Sequence, residues 1–141
     1  MLGANGAGKT TTISMLTGLI TPSSGGATID GRSIKTQMQT IRLHLGVCPQ
    51  LNVLFDSLSP LQHLRLYGAL KGFRGAALNT AIDQLLQSVT LWEKRNAESQ
   101  HLSGGQKRTL CLGSSLVGQA QTVFLDEPTS GMVSGHGHFM I

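Results

Sequence analysis

Hydrophobic and polar positions follow two rhythms along this chain. From Thr10 to Ile20, Ile13, Leu16 and Leu19 or Ile20 fall three or four residues apart, which predicts a helix with Gly18 late in the run. Thr21-Pro22-Ser23-Ser24-Gly25-Gly26 has the composition of a turn. A short strand is expected over Ala27 to Asp30, closing on Gly31, then a helix from about Thr36 to Leu43. Leu45 to Cys48 is a second apolar strand, stopped by Pro49. From Ser59 the rhythm is helical again. Leu61, Leu64 and Tyr67 mark one face, ending near Gly68 to Gly72, and Leu78, Ile82, Leu85, Leu86 and Val89 mark another. A charged linker leads to Leu102-Ser103-Gly104-Gly105, then a helix from Gln106 to about Val117 and a last strand over Thr122 to Leu125. The order is β/α, a helical middle, then α/β again, which reads as an α/β core interrupted by a helical insertion.

Composition narrows the class without naming a function. The 141 residues fit one domain, and 40% hydrophobic with 13% charged residues describes a globular protein, not a disordered one. The formal net charge of +4 suits an anionic ligand, but Lys and Arg are scattered, so no nucleic-acid surface is expected. Cys48 and Cys111 form no C-x-x-C pair and sit in apolar contexts, as buried free thiols do. No apolar run approaches the roughly 18–20 residues of a membrane helix. His44, His63 and His101 read as surface or helix-end residues, and Tyr67 and Trp92 as packing residues.

Three short motifs carry chemistry. Gly3 to Thr10, G-A-N-G-A-G-K-T, matches the P-loop pattern in full. Gly3, Gly6 and Gly8 let the backbone curl so that successive N–H groups point at a phosphate, and the following helix adds its positive end. Lys9 would reach the β- and γ-phosphates and the Thr10 hydroxyl would ligate Mg²⁺. The second motif is the strand V-F-L ending in Asp126 and Glu127. A strand's carboxyl end lies in the crevice where α/β sheets bind ligands. There Asp126 would hold Mg²⁺ through a water, and Glu127 would accept a proton from an attacking water. The third is Leu102-Ser103-Gly104-Gly105-Gln106, a second anion-binding helix start far from the first.

These motifs, in this order and spacing, resemble those of ATP-binding cassette (ABC) ATPases. The resemblance runs from Gly3 to Met132. Cys48 to Asp56, C-P-Q-L-N-V-L-F-D, and Phe124 to Met132, F-L-D-E-P-T-S-G-M, are most similar to the A subfamily, large eukaryotic transporters of lipids and sterols. It implies a P-loop NTPase core, over residues 1–49 and about 114–132, with a helical insert over about 50–113 that carries the signature motif. It also implies ATP and Mg²⁺ as ligands. Gly3, Asn5, Gly6, Ala7, Gly8, Lys9, Thr10 and Thr11 would hold the nucleotide. Gln50 would sense the metal and the attacking water, beside Thr10 and Asp126 as metal residues and Glu127 as base. Ser103, Gly104, Gly105 and Gln106 would clasp the nucleotide of a second nucleotide-binding domain in a head-to-tail dimer. Membrane-spanning domains would be the other partner, at the cytoplasmic face of a membrane.

The chain departs from the family's pattern in three places. Only Met1-Leu2 precedes Gly3 where a central strand is expected. Val133 stands where the family has Asp, and no histidine follows Glu127 at the family's spacing of some thirty residues; His136 and His138 lie too close. The expectation is a partial nucleotide-binding domain over residues 1–132, with a divergent, disordered tail over 133–141, that does not turn over ATP at an enzymatic rate. A regulatory module that binds nucleotide or a partner without turnover is the alternative. The compact interval from Thr10 to Leu102 has no sustained heptads, which disfavours a DNA-repair ATPase. The absence of N-K-x-D disfavours a GTPase.

Overall fold

A computed structural model describes residues 7–118 and 120–126. The elements run α1 (Lys9–Leu16), β1 (Thr28–Ile29), β2 (Arg32–Ser33), α2 (Met38–His44), β3 (Leu45–Cys48), α3 (Pro60–Leu70) and α4 (Gly75–Ser88). Two 3₁₀ turns follow (Trp92–Lys94 and Ser99–His101), then α5 (Gly104–Leu116) and β4 (Thr122–Leu125). The expected strands at Leu45 to Cys48 and Thr122 to Leu125 form where the sequence places them. They pair in parallel, with Leu45 opposite Thr122 and Cys48 opposite Leu125. A parallel pair needs a long crossover, and here α3, α4 and α5 supply it.

Two apolar clusters result. One, between the helices of the crossover, gathers Leu64, Ile82, Leu86, Leu91 and Leu110, with Tyr67 and Trp92 packed against it. The other joins the hairpin and α2 to the parallel strands through Ile29, Ile34, Ile41 and Leu45. Helix α5 serves both sides. Leu110 and Val117 lie in the helical cluster, while the Ser115 carbonyl lies so close to Gly46 that a methyl group there would collide with it. The boundary read near residues 113 and 114 therefore falls inside a continuous helix.

Local chemistry sets the helix ends. Both α3 and α5 open on a capping box. Ser59 Oγ accepts from the Gln62 N–H while the Gln62 carboxamide accepts from the Ser59 N–H, and Ser103 with Gln106 repeats the arrangement. Helix α1 is shorter than its periodicity predicts. Gly18, left-handed at φ 73°, lets the Leu19 N–H turn back to the Ser14 carbonyl and ends the helix. The strand expected over Ala27 to Asp30 is instead an antiparallel hairpin of β1 and β2. Its turn is Asp30-Gly31, the short D-G signal of a tight hairpin. The charged linker folds into the two 3₁₀ turns, where the Arg95 guanidinium lies 4.1 Å from the Trp92 ring centre.

His63 departs from the surface reading: it is fully buried in α3. Its Nε2 accepts the Phe55 N–H at 2.9 Å, so the proton sits on Nδ1, which donates to the Ser59 carbonyl at 3.0 Å. Burial lowers the pKa below its ordinary 6.5, and the Ser59 carbonyl opposes that in part. Periodicity could not reveal this, because the group that requires an acceptor is a backbone amide eight residues away.

Two consequences are measurable. Gly46→Ala should lower unfolding free energy by about 1–3 kcal/mol, the usual cost of overpacking, read as a lower urea midpoint with an unchanged slope. For His63 the folded pKa lies below the unfolded one, so its contribution is complete above the unfolded value and lost as pH falls toward the folded value. Urea titrations at pH 7.5 and 5.5 should show a larger loss in the wild-type chain than in His63→Gln, with His44 and His101 common to both. Equal losses would contradict the assignment.

Candidate functional site

The described part of the glycine-rich loop begins at Ala7. Gly8 caps α1 at φ 81°, a left-handed conformation that disfavours any side chain. Its carbonyl accepts both the Thr12 N–H and the Thr12 hydroxyl, each at 2.9 Å. Lys9 and Thr10 are thereby the first two helical residues, beside N–H groups that the helix itself does not use. Thr11 follows, exposed. Gly3, Asn5 and Gly6 lie outside the described residues.

The Thr10 hydroxyl donates to Asp126 Oδ2 at 2.9 Å. This contact joins residues 116 positions apart, the start of α1 and the end of β4. It brings together two of the three residues expected at the metal. Asp126 is buried while Thr10 is exposed. A hydroxyl beside a carboxylate is a hard oxygen pair of the kind Mg²⁺ takes, alongside waters and phosphate oxygens. Among the described residues no group of three His, Cys, Asp or Glu is placed to hold a metal. The Thr10–Asp126 oxygen pair fits an ion whose remaining ligands come from a nucleotide and water.

Gln50, the third expected metal residue, is exposed just beyond β3. It is linked to Asp126 by a residue that sequence reasoning passed over. Arg108, 1% exposed, donates to the Pro49, Gln50 and Asp126 carbonyls, the latter two at 3.1 Å. Five N–H donors in one plane let it reach the ends of β3 and β4 at once. The signal was present: Arg108, Cys111 and Ser115 recur at helical spacing on the buried face of α5. A charge on such a stripe requires acceptors inside.

Ser103, Gly104, Gly105 and Gln106 form the start of α5. The Gln106 side-chain oxygen accepts the Ser103 N–H at 2.9 Å, and Ser103 Oγ accepts the Gln106 N–H at 3.2 Å. Gln106 is thus committed to the cap. A Cβ added at Gly104 or Gly105 would meet no other atom of the described residues, so their packing does not require glycine there. Open space above a capped helix start suits close approach by an anion from outside the chain. Glu127, His136 and His138, and the tail over 133–141, lie outside the described residues.

Cys48 and Cys111 are buried free thiols, as expected. Burial pushes Cys111 up to about 11, with Cys48 adding to the rise, so it stays protonated near neutrality. No described helix is long and apolar enough to cross a membrane.

The sequence profile described as ABC transporter matches residues 1–130, and the chain belongs to that family. Its similarity extends to the A subfamily. It is 51% identical over 131 residues to "Phospholipid-transporting ATPase ABCA7" of Homo sapiens, covering 93% of this chain and 6% of that protein. It is 48% identical over 132 residues to "ABC transporter A family member 6" of Dictyostelium discoideum, covering 94% and 8%. The fold superposes on the "Structure of ATP binding subunit of ABC transporter" with TM-score 0.84 and 28% identity, covering 94% of this chain and 55% of that one. The chain therefore spans less than a tenth of the curated relatives' length and about half of the solved subunit. The α/β ABC ATPase-like class and the family resemblance agree with these findings.

Removing Arg108 should be costly. Arg108→Met keeps the volume of the stem but leaves three carbonyls without their charged donor. A loss of about 3–5 kcal/mol is expected, as when one partner of a buried charged contact is deleted. Chemical unfolding measures it, and a loss under about 1 kcal/mol would show that water replaces the guanidinium freely.

Proposed function

We propose that this chain binds Mg²⁺-ATP between the start of α1 and the end of β4. We propose further that it pairs head-to-tail with a second nucleotide-binding domain, and that hydrolysis drives lipid movement through membrane-spanning domains at a cytoplasmic membrane face. The observation that carries the binding site is the Thr10–Asp126 hydrogen bond. Two oxygens that a Mg²⁺-nucleotide requires, supplied from opposite ends of the sequence, already share one point. The name of the human relative, a phospholipid-transporting ATPase, supports lipid as the transported class.

The roles follow from chemistry. Gly8, Lys9, Thr10 and Thr11 offer helix-start N–H groups to phosphate, and Gly3, Asn5, Gly6 and Ala7 are the other residues assigned to the nucleotide. Lys9 adds a charge-assisted contact to the terminal phosphates. Thr10 and Asp126 would hold the metal, Asp126 by way of a water. Bound Mg²⁺ supplies charge neutralisation at the phosphate oxygens. Gln50 reports on the metal and orients the attacking water, and Glu127 takes its proton. Ser103, Gly104 and Gly105 face the partner's nucleotide, with Gln106 shaping the cap.

A second reading is a module that binds nucleotide or a partner without turnover, favoured by Val133 in place of the family's Asp. One set of measurements separates the readings. Lys9→Ala should weaken Mg²⁺-ATP binding at least tenfold by calorimetry, because one charge-assisted contact contributes roughly 1.5–3 kcal/mol. Equal affinities would remove the binding site from Lys9. Phosphate release that disappears in Glu127→Gln supports hydrolysis, whereas binding with no Glu127-dependent release supports the module.

A further inference from the structure

Residues 51–54 run between two fixed ends. At one end Arg108 holds the Gln50 carbonyl at 3.1 Å. At the other the Phe55 N–H donates to His63 Nε2 at 2.9 Å. Between them the chain has neither helix nor strand, and Leu51 and Val53 are 78% and 59% exposed. Leu54 alone of the four packs against the helical cluster. Five Cα steps separate Gln50 from Phe55, a span of at most about 18 Å when fully extended.

The far end is rigid. His63 sits one turn into α3, its Nδ1 tied to the Ser59 carbonyl, and Ser59 closes the capping box with Gln62. The Phe55 ring lies over the imidazole, centres 6.0 Å apart and planes 28° from parallel. Ser99 Oγ holds the Leu58 carbonyl at 2.7 Å, and the Leu58 N–H returns to the Phe55 carbonyl. Residues 55–63 therefore move with α3. The Val53 backbone also bonds the Cys111 thiol of α5, so a displacement of Gln50 reaches α5 through Arg108 and Val53 and reaches α3 through the Phe55–His63 bond.

We propose that His63 is a positioning residue that couples Gln50 to the helical insert, by gripping the Phe55 amide at the far end of this strap. The inference rests on the reading that Gln50 responds to bound nucleotide. A neutral imidazole is suited to the role because it is a buried acceptor with its other nitrogen fixed. Glutamine offers an acceptor of comparable reach, whereas phenylalanine keeps a ring and has none.

Amide hydrogen exchange on the whole chain, with and without Mg²⁺-ATP, tests this in the wild type, His63→Gln and His63→Phe. Calorimetry of Mg²⁺-ATP binding runs beside it. In the wild type, nucleotide should slow exchange over residues 45–50 and over α3. In His63→Phe the Phe55 amide should exchange about tenfold faster. ATP affinity should stay within about threefold and the response over 45–50 should remain, while the response in α3 disappears. His63→Gln should restore at least half of it. Should His63→Phe fail to fold, Phe55→Pro removes the same N–H from the other side and should uncouple α3 in the same way. An α3 response that survives both losses of the bond overturns the proposal, as does a wild-type chain that binds ATP without any α3 response. Failure of the wild type to bind Mg²⁺-ATP in calorimetry instead overturns the functional reading beneath it.

Discussion

A guanidinium enclosed among peptide carbonyls ties together the ends of the two parallel strands, segments far apart in the sequence. Arg108 rises from the buried face of α5 and reaches the ends of β3 and β4 together. Burying a charge costs several kcal/mol unless good geometry offsets it. Charge-assisted hydrogen bonds of roughly 1.5–3 kcal/mol each supply that offset. The result is directional where apolar packing is not. It fixes the Gln50 and Asp126 backbones relative to one another, so every side chain that leaves those strand ends starts from a set position.

The same node explains why α5 lies so close to the sheet. Gly46 admits the Ser115 carbonyl against β3, two residues from Cys48, whose own carbonyl accepts the Asp126 N–H at 2.9 Å. A larger residue at 46 would push α5 outward and carry Arg108 away from its acceptors. Packing at one end of the helix and hydrogen bonding in its middle are therefore a single constraint. Ser103, at the helix start, inherits its position from both.

Around this node the helical insert attaches at two kinds of point. Leu110 packs α5 against α3 and α4 through the apolar cluster, a contact that tolerates small rotations. His63 attaches the segment after Gln50 by one hydrogen bond to a backbone amide, which tolerates few. A broad apolar contact thus stands beside a narrow polar one, and the second keeps the helices registered to the strand ends.

Much was legible in the residues themselves. The glycines before Lys9, the S-x-x-Q pairs that open α3 and α5, and the strand stopped by Pro49 are local devices, read within one turn of chain. Family membership was equally legible, because motif order survives without coordinates. Contacts between distant segments were decided only in three dimensions. Thr10 meets Asp126 across 116 positions, Arg108 reaches three backbone carbonyls from α5, and His63 becomes a buried acceptor. Periodicity reports which face a residue occupies, but it cannot report which carbonyl or amide waits on the other side. That is settled by tertiary packing, because a hydrogen bond depends on the position and direction of both partners and the sequence displays only one at a time.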